Sequence, residues 1–250
     1  MVELVVSDAK FFKSCIDAVS NLVDEGTFEV SSLGLRLRCM DPSQIAMVDF
    51  NLPKEGFEKV DAAESAVSIG VNLSDLGKVL ARARSLEKLA IRTDEKSNKL
   101  SLDFTGESSR HFKLPLLDLG GTLPKEPKIV FDSHAKIRGG PLKEMLKDAG
   151  MFSSHVVLQM REGEMVVEAH GDSGDLVIET RKDAPAISEL HSTAPSRAMF
   201  PFEYLDDITR ACPEDETVTL ELKSDAPVKV SYKIGPAHLS YYLAPRVENV

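Results

Sequence analysis

The residues best suited to nucleophilic chemistry lie at positions 171–175, which read Gly-Asp-Ser-Gly-Asp and follow directly on His170. A serine between glycines and beside a histidine is the composition found around an activated serine nucleophile. The same residue types form tight turns, because they supply special backbone angles and local hydrogen bonds. A triad also needs a base that is correctly placed in space. A turn is therefore the favoured interpretation, and a serine hydrolase using Ser173 and His170 is the alternative.

The histidines and cysteines do not form a recognisable metal site. The six histidines, at positions 111, 134, 155, 170, 191 and 238, share no H-x-x-x-H or H-E-x-x-H spacing. Cys15, Cys39 and Cys212 are an odd number of widely spaced thiols, a pattern typical of buried cysteines in a reducing compartment. Glycine-rich phosphate loops are also missing from the sequence. We therefore predict no metal, no cofactor and no enzymatic activity.

Composition narrows the classes of partner. With 250 residues, of which 42% are hydrophobic and 28% charged, the chain can bury a large core and lacks the composition of a disordered protein. No apolar run approaches the ~18 residues of a membrane span, so no membrane partner is predicted. The formal net charge of −10 argues against wrapping nucleic acid with the whole surface. It is compatible with one basic face on an acidic body.

The elements that must position these residues fall into two similar halves. Two glycines and two prolines interrupt the pattern, so we predict domains at 1–117 and 129–250 joined by a linker at 118–128. Each half opens with a strand, at 2–6 and at 128–131, and then repeats an order of helix and three strands. Apolar spacing predicts four short, one-sided helices, at 12–23, 73–83, 142–149 and 202–211. The predicted fold class is α+β, with two similar domains that are each a duplicated β-α-β-β-β unit.

Two segments carry a more specific signal. Residues 35–44 read Leu-Arg-Leu-Arg-Cys-Met-Asp-Pro-Ser-Gln, and residues 235–247 read Gly-Pro-Ala-His-Leu-Ser-Tyr-Tyr-Leu-Ala-Pro-Arg-Val. With the duplicated halves, they resemble the proliferating cell nuclear antigen family of DNA sliding clamps over essentially the whole chain. The Met-Asp-Pro-Ser tetrapeptide and the short tail are more similar to archaeal members. The resemblance implies a processivity factor that tethers DNA polymerase, the clamp loader, flap nuclease and ligase to DNA through short motif peptides.

The resemblance also implies a ring. Members of the family form head-to-tail trimers in the DNA clamp fold, with helices lining a hole that double-stranded DNA threads and sheets on the outside. A heterologous contact of this kind can pair two sheet edges, which would otherwise be an aggregation hazard. Matching the family's interface between clamp subunits places one edge at Ser109, Arg110, His111, Phe112 and Lys113, and the other at Leu176, Val177, Ile178, Glu179, Thr180 and Arg181.

The charges on the predicted helices fit such a lining. A single basic pair is more often an ordinary solvated helix face, but three of the four helices carry the same bias in a chain of net charge −10. The residues expected to face DNA are Lys10, Lys13, Lys78, Arg82, Arg84, Arg138, Lys143, Lys147 and Arg210. The fourth helix departs from the pattern, because Glu203, Asp206 and Asp207 outnumber Arg210. Such phosphate contacts position a protein without reading sequence, and they weaken with salt.

The last expectation from the resemblance is a pocket for client peptides. Clients of the family insert one aliphatic and two aromatic anchors beneath the interdomain linker. The matching residues here are Met40, Gln44, Ile45, Met47, Leu123, Pro124, Pro227, Tyr242, Leu243, Ala244 and Pro245. The alternative interpretation is that Met40 and Tyr242 simply fill the core.

Two questions stay open within the same fold. The chain could be a checkpoint-type clamp subunit rather than a replicative clamp, and the ring could combine paralogous chains. The expected location is the cytoplasm, in association with the nucleoid, for an archaeal protein, and the nucleus for a eukaryotic one.

Overall fold

Two units, each with its own core, make up the chain in the computed structural model, which describes residues 2–94, 98–120 and 123–246. The first unit comprises Met1–Pro42, Val48–Pro124 and Ile234–Leu239, and the second comprises Ser43–Met47, Lys125–Lys233 and Ser240–Val250. Gly121 and Thr122 of the predicted linker, and Val247 of the terminal motif, lie outside the described residues. The domain boundaries proposed from the sequence, at residues 117 and 129, stay a prediction.

The first unit is built largely of antiparallel strands. They are β1 (Glu3–Val6), β2 (Glu25–Ser31), β3 (Gly34–Met40), β4 (Ala46–Pro53), β5 (Lys59–Asp61), β6 (Val67–Asn72), β7 (Lys88–Asp94), β8 (Lys99–Thr105) and β9 (Ser109–Pro115), with a 3₁₀ turn at Lys54–Gly56. One sheet has the order β5-β1-β7-β8-β9, and a second group of strands has the order β6-β2-β3-β4. Strands β9 and β6 therefore each lie at an edge.

The C-terminal half of the chain repeats this plan. Its strands are β10 (Ser133–Arg138), β11 (His155–Arg161), β12 (Glu164–Gly171), β13 (Gly174–Arg181), β14 (Ile187–Ser192), β15 (Ser196–Pro201), β16 (Thr217–Leu222), β17 (Val228–Ile234) and β18 (Ala237–Leu243). One sheet has the order β13-β12-β11-β15, and the other strands have the order β14-β10-β16-β17-β18. Strand β13 is an edge strand, as β9 is in the first unit.

Four helices in the described part of the chain pack in pairs against these sheets. They are α1 (Ala9–Ser20), α2 (Leu73–Leu80), α3 (Gly139–Gly150) and α4 (Phe202–Arg210). Helix α1 contacts α2 in the first unit, and α3 contacts α4 in the second. The apolar spacing seen in the sequence is the buried face, with Phe12, Leu76 and Leu142 each at most 1% exposed. None of the described helices is long and apolar enough to span a membrane.

Asp8 and Asn72 fix the starts of the two helices in the first unit. The Asp8 side chain accepts a hydrogen bond from the Lys10 N–H (2.8 Å), and the Asn72 side chain accepts one from the Asp75 N–H (2.8 Å). Such caps satisfy N–H groups that have no partner within the helix.

Three elements differ from the sequence-based predictions, and one of them is helix α1, which was predicted at 12–23 and is observed at Ala9–Ser20. The predicted strand at 128–131 is wrong: this segment is not a strand, and β10 begins at Ser133. Val130 is 80% exposed, whereas the inward side of β10 begins with the small residues Ser133 and Ala135, which give a weak hydrophobic signal. The predicted extent of α2 is also wrong, because the helix ends at Leu80 and Arg82 lies in the turn that follows.

Candidate functional site

Several basic residues predicted to face DNA form ion pairs along their own helix. Each lies three or four residues from a carboxylate, the spacing that brings two side chains together on a helix. The pairs are Lys13 with Asp17, Lys78 with Asp75 (2.8 Å), Lys147 with Glu144 (2.9 Å), and Arg210 with Asp206 (2.7 Å) and Asp207 (2.6 Å). These pairs reduce the net positive charge of the helix faces. The sequence-based prediction of DNA-facing residues did not take these ion pairs into account.

The two helices of the second unit, α3 and α4, differ in net charge. The hydrogen bond that Lys147 donates to Glu144 raises the pKa of Lys147, because the carboxylate stabilises the protonated ammonium. On α4, burial raises the pKa of Asp207, and the hydrogen bond from Arg210 to Asp206 raises the pKa of Arg210. Helix α4 carries Glu203, Asp206 and Asp207 against Arg210, so its composition makes it the least basic of the four described helices.

Lys143 has a structural role that the sequence did not predict. Its ammonium donates hydrogen bonds to the backbone carbonyls of Arg210 (3.2 Å) and Cys212. A cation at the end of a helix satisfies carbonyls that have no partner within the helix, and it interacts favourably with the helix dipole. Lys143 therefore joins α3 to the C-terminal end of α4, and its role toward DNA stays a prediction.

A basic group without carboxylate partners lies at one end of the α1–α2 pair. The ammonium of Lys10 donates a hydrogen bond to the Ser85 hydroxyl (2.8 Å), and Arg82 and Arg84 are exposed in the same turn. Among the described residues, no carboxylate lies within 4 Å of these three cationic groups, nor of the Arg138 guanidinium at the start of α3. These cations are therefore not neutralised by a carboxylate of the described residues, and their role toward DNA stays a prediction.

Both segments predicted to form the subunit interface are edge strands in the structure. Strand β9 pairs with β8 on one side and has no partner on the other among the described residues, and β13 pairs only with β12. The two strands have seven and eight residues, and their alternating residues are half-buried or exposed rather than covered by another layer. Long edges of this kind offer unpaired backbone groups to a second chain.

The side chains on the two edges are unlike in charge. Strand β9 carries Arg110, His111 and Lys113, whereas β13 carries Asp175, Glu179 and Arg181. Val177 on β13 is 55% exposed, an unusually open position for an apolar side chain on a strand. One edge is therefore basic and the other has a net negative charge, which suits a pairing between different edges.

Strand β9 is held in place by a buried ion pair. The Arg110 guanidinium bonds to the Glu87 carboxylate, whose side chain is only 3% exposed, and lies 5.0 Å from the centre of the Phe104 ring. Glu87 also accepts a hydrogen bond from the Arg84 N–H (2.7 Å). Because removing one partner would leave a buried charge, this pair fixes the position of β9.

Part of the predicted client pocket borders a cavity within the first unit. Leu123 and Pro124 lie on one side of a cavity of about 580 Å³, together with Leu119 and Gly120. The opposite side consists of residues from β2, β3 and β6 and includes the carboxylates of Glu25 and Glu29 and the side chains of Arg38, Cys39 and Ser68. Burial raises the pKa of the Cys39 thiol to about 11. These strand residues were not predicted as pocket residues, although Arg38 and Cys39 belong to the motif at 35–44.

Met40, a predicted pocket residue, lies at the end of β3. Its side chain is 37% exposed and borders a separate hollow of about 360 Å³ with Val23, Asp24, Glu25 and Pro42. The interpretation of Met40 as a core residue is therefore wrong. An exposed methionine beside a hollow can adapt to an apolar ligand.

The remaining predicted pocket residues belong to the second unit and divide by burial. Tyr242, Leu243 and Met47 are at most 5% exposed, so they are core side chains in this structure, and Tyr242 agrees with the core interpretation. The hydroxyl of Tyr242 donates to the Glu126 carboxylate (2.7 Å). The more accessible residues, at the surface of this unit, are Gln44, Ile45, Pro227, Ala244 and Pro245.

Two of these surface residues are paired with each other. The Ala244 N–H donates to the Ile45 carbonyl (2.9 Å), which joins the C-terminal tail to the loop before β4. The Gln44 backbone has a positive φ of 58°, in the left-handed region. The tail and the loop thus form one surface, as the predicted pocket requires.

The segment at 171–175 is a turn, as the favoured interpretation predicted. Gly171 pairs with Gly174 across a two-residue hairpin loop between β12 and β13. A Cβ on Gly171 would lie 1.9 Å from the Phe152 carbonyl oxygen, and Gly174 has a φ of +145°, so both positions require glycine. The His170 ring bonds to Asp175 (2.7 Å) rather than to Ser173. The described residues also contain no group of three or more His, Cys, Asp and Glu side chains placed to hold a metal.

We expect Ser173 not to react with a fluorophosphonate probe, because no base is bonded to its hydroxyl among the described residues. Labelling of the wild type and a Ser173→Ala variant should be equal at background level by gel fluorescence. Labelling that disappears in the variant would support the hydrolase alternative.

Comparison with known proteins covers both units. The N-terminal domain of proliferating cell nuclear antigen matches residues 1–120, and the C-terminal domain of the same protein matches residues 125–247. The DNA polymerase sliding clamp of Methanococcus vannielii is 34% identical over 245 residues, which are 97% of this chain and 98% of that protein. The DNA polymerase sliding clamp of Pyrococcus furiosus is 30% identical over 247 residues, which are 98% of each chain.

Solved structures show the same fold. The chain resembles proliferating cell nuclear antigen from Thermococcus kodakaraensis with a TM-score of 0.92 at 27% identity, over 98% of this chain and all of that one. It also resembles the A. fulgidus protein, solved with the C-terminal region of FEN-1 bound, with a TM-score of 0.90 at 23% identity over the full length of both. The predicted fold class is therefore confirmed.

Proposed function

The chain belongs to the proliferating cell nuclear antigen family, and from this premise we propose that it is a DNA polymerase sliding clamp that encircles duplex DNA and tethers replication and repair enzymes. The observation that carries the proposal is the match to sliding clamps along nearly the whole chain. The described residues offer no alternative built around a catalytic serine or a metal cluster. Its action would be mechanical, since a clamp holds its clients near DNA without reacting with either.

We propose that the working form is a ring of three chains. The two open edge strands support it, because β9 of one chain and β13 of the next would complete a sheet across each seam. The edges differ from each other, so the contact is heterologous, and such contacts either close into rings or continue as filaments. The basic charge of β9 and the acidic charge of β13 favour this pairing over β9 with β9 or β13 with β13.

We propose that the helices contact DNA weakly. Most of their cations are neutralised by carboxylates on the same helix, which leaves few charges for phosphates. Weak contacts suit a clamp that must slide, because a closed ring stays on DNA without tight binding. Retention on closed circular DNA, and loss from linear DNA with free ends, would test this topology after loading. Equal retention on both DNAs would overturn the proposal of encirclement.

Reversing charges at the end of the α1–α2 pair should weaken the contact with DNA. We expect the variant Lys10→Glu, Arg82→Glu, Arg84→Glu, which reverses the basic group at the end of the α1–α2 pair that has no carboxylate partner among the described residues, to load less efficiently and to bind duplex DNA more weakly than the wild type. Each lost phosphate contact lowers the slope of log affinity against log salt by roughly 0.9, so the slope should fall by about two to three. The measurement is fluorescence anisotropy with a short duplex over a range of salt concentrations.

A matched control separates this effect from net charge. The variant Lys54→Glu, Lys182→Glu, Lys233→Glu makes the same change in charge at exposed lysines outside the helices. We expect it to keep the wild-type slope. If both triple variants lowered the slope equally, the whole surface charge rather than this basic group would govern binding.

The clients that we propose are DNA polymerase, the clamp loader, flap nuclease and ligase, each bound through a short motif. The binding of the C-terminal region of FEN-1 to the A. fulgidus protein supports the flap nuclease among them. We propose that these peptides contact the cavity beside Leu123 in the first unit. We propose that the protein acts in the compartment that contains the chromosomal DNA, which is the cytoplasm for an archaeal protein and the nucleus for a eukaryotic one.

A further inference from the structure

The segment that connects the two halves is attached to a sheet edge soon after it leaves β9. The Leu116 N–H donates to the Asn98 carbonyl (3.1 Å), and the Leu117 N–H then donates to the carbonyl of Gly70 on β6 (2.9 Å). Gly70 and Leu117 form an isolated antiparallel bridge. The segment therefore passes from the edge of one sheet to the edge strand β6.

The connecting segment lies closer to strand β6 at Gly70 than it could at a residue with a side chain. A Cβ on Gly70 would lie 2.2 Å from the carbonyl oxygen of Leu117 and 3.4 Å from Cγ of Leu119. The first distance is far below any real contact, and the atom is part of the backbone, so a rotamer change cannot relieve the clash. A residue larger than glycine would have to move either β6 or the connecting segment.

The same segment forms one wall of the cavity that we assign to client peptides. Leu119, Gly120, Leu123 and Pro124 follow Leu117 and line the cavity, whose opposite wall includes Ser68. Ser68 and Gly70 lie on the same face of β6, because side chains two residues apart on a strand point in the same direction. The segment is thus in contact with β6 at Gly70 and separated from it by the cavity at Ser68.

A second contact holds the other end of the segment. A guanidinium N–H of Arg38 points to the Pro124 carbonyl oxygen (3.5 Å), and Arg38 is itself bonded to Asp49 (Nε to Oδ2, 3.0 Å). The Arg38 side chain is only 12% exposed, so its position is well defined. The described part of the segment is therefore attached near both of its ends, with the cavity between the two attachments.

The second unit contains the equivalent bridge with a different residue. There the chain leaves β18, and the Arg246 N–H donates to the carbonyl of Met199 (2.8 Å). Met199 is the fourth residue of the six-residue strand β15, as Gly70 is of the six-residue strand β6. The bridge thus belongs to the duplicated architecture and forms with a side chain present. At Gly70 the connecting segment lies so close that an added Cβ would be 2.2 Å from the Leu117 carbonyl oxygen, and this approach is what requires glycine there.

We propose that Gly70 is a positioning residue that sets how closely the connecting segment lies against β6, and so sets the shape of the cavity that receives client peptides. This inference rests on the proposed function for its effect on clients. The anchor itself depends only on the contact between Gly70 and Leu117. The substitution Gly70→Ala should lift the segment and widen or distort the cavity without touching either edge strand proposed for assembly.

The test compares Gly70→Ala with Gly77→Ala, since a Cβ on Gly77 would meet no atom within 4 Å. In Gly70→Ala we expect the Leu117 amide to exchange with deuterium at least about fivefold faster, the factor that one net backbone hydrogen bond represents. We expect a motif peptide with one aliphatic and two aromatic anchors to bind at least about fivefold more weakly by calorimetry. Trimer mass should not change, and Gly77→Ala should match the wild type in all three measurements.

The outcomes separate the anchor from the proposed function. If the wild type did not bind the peptide, the proposed clients would be wrong, but exchange of the Leu117 amide would still test the anchor. Wild-type exchange and affinity in Gly70→Ala would overturn the inference. If that variant failed to fold, Leu117→Pro would remove the same N–H donor from the segment and leave β6 intact. Wild-type peptide affinity in Leu117→Pro would overturn the inference as well.

Discussion

Val177→Lys should convert the trimer into monomers. The wild type is expected at about 82 kDa, three copies of the 27.4 kDa chain, and the variant at the mass of one copy. Val177 lies on the exposed face of β13, the edge that we pair with the basic edge β9, so the new ammonium would lie on the same side of the joined sheet as His111 and Lys113 of a neighbouring chain. Like charges placed together at an interface cost several kcal/mol. Sedimentation velocity at micromolar protein concentration measures the result.

The fold of each chain should survive this substitution. Val177 is already 55% exposed, so the lysine stem can lie along the surface with its ammonium in water. Val130→Lys is the matched control, because Val130 is 80% exposed and lies on neither edge. Monomers from Val177→Lys together with trimers from Val130→Lys would support the pairing of β13 of one chain with β9 of the next. A wild type that is monomeric at these concentrations would contradict the homotrimer and direct the search to paralogous chains.

Helices and most strands could be predicted because their signals are local. Apolar residues such as Phe12, Ile16 and Leu76 repeat at helical spacing, and that stripe is the face buried against the sheets. The resemblance placed an edge at Ser109–Lys113, and the structure has strand β9 at Ser109–Pro115. The predicted strand at 128–131 failed because Val130 made exposed residues look like a strand while Ser133 and Ala135 concealed the real one.

The contacts that shape the candidate site are mostly not local, and sequence spacing does not reveal them. Lys143 appeared to be one of a pair of free lysines, yet its ammonium binds carbonyls at the end of a helix about 70 residues away. The role of Gly70 could not be predicted from the sequence, because it depends on how closely Leu117 approaches it in the folded chain. The helix ion pairs, in contrast, could have been found, because Asp17 and Glu144 lie at i,i+3 or i,i+4 spacing from a lysine.

Burial also changes which pocket residues can be tested. The resemblance to known clamps placed Leu243 in the client pocket, but its side chain is fully buried in the second unit. A charge at that position would cost several kcal/mol of folding free energy and would not report on client binding alone. Leu123 is half-buried beside the cavity of the first unit, so it can be replaced without opening the core.

Leu123→Arg should abolish binding of client peptides and leave the ring intact. Burying one aliphatic and two aromatic anchors contributes roughly 1.5–3 kcal/mol each before the cost of ordering the peptide. After that cost we expect a micromolar Kd, about −8 kcal/mol. A guanidinium at position 123 would occupy the space that an apolar anchor needs and would place a charge against that anchor, at a cost of several kcal/mol. We therefore expect the affinity for a motif peptide to fall by at least about a hundredfold in calorimetry.

The added charge could weaken peptide binding because it lies in the cavity, or because it changes the net charge of the protein. A control variant with the same charge outside the cavity separates these two effects. Leu33→Arg adds the same charge in the same unit at a side chain that is 75% exposed and outside the cavity, so it should bind peptide as the wild type does. Both variants should sediment as trimers, since neither residue lies on β9 or β13. A Leu123→Arg protein that still bound peptide with wild-type affinity would show that clients do not contact this wall. The carboxylates of Glu25 and Glu29 across the cavity could attract the new guanidinium, but an arginine that bonds to them fills the space that the anchors need.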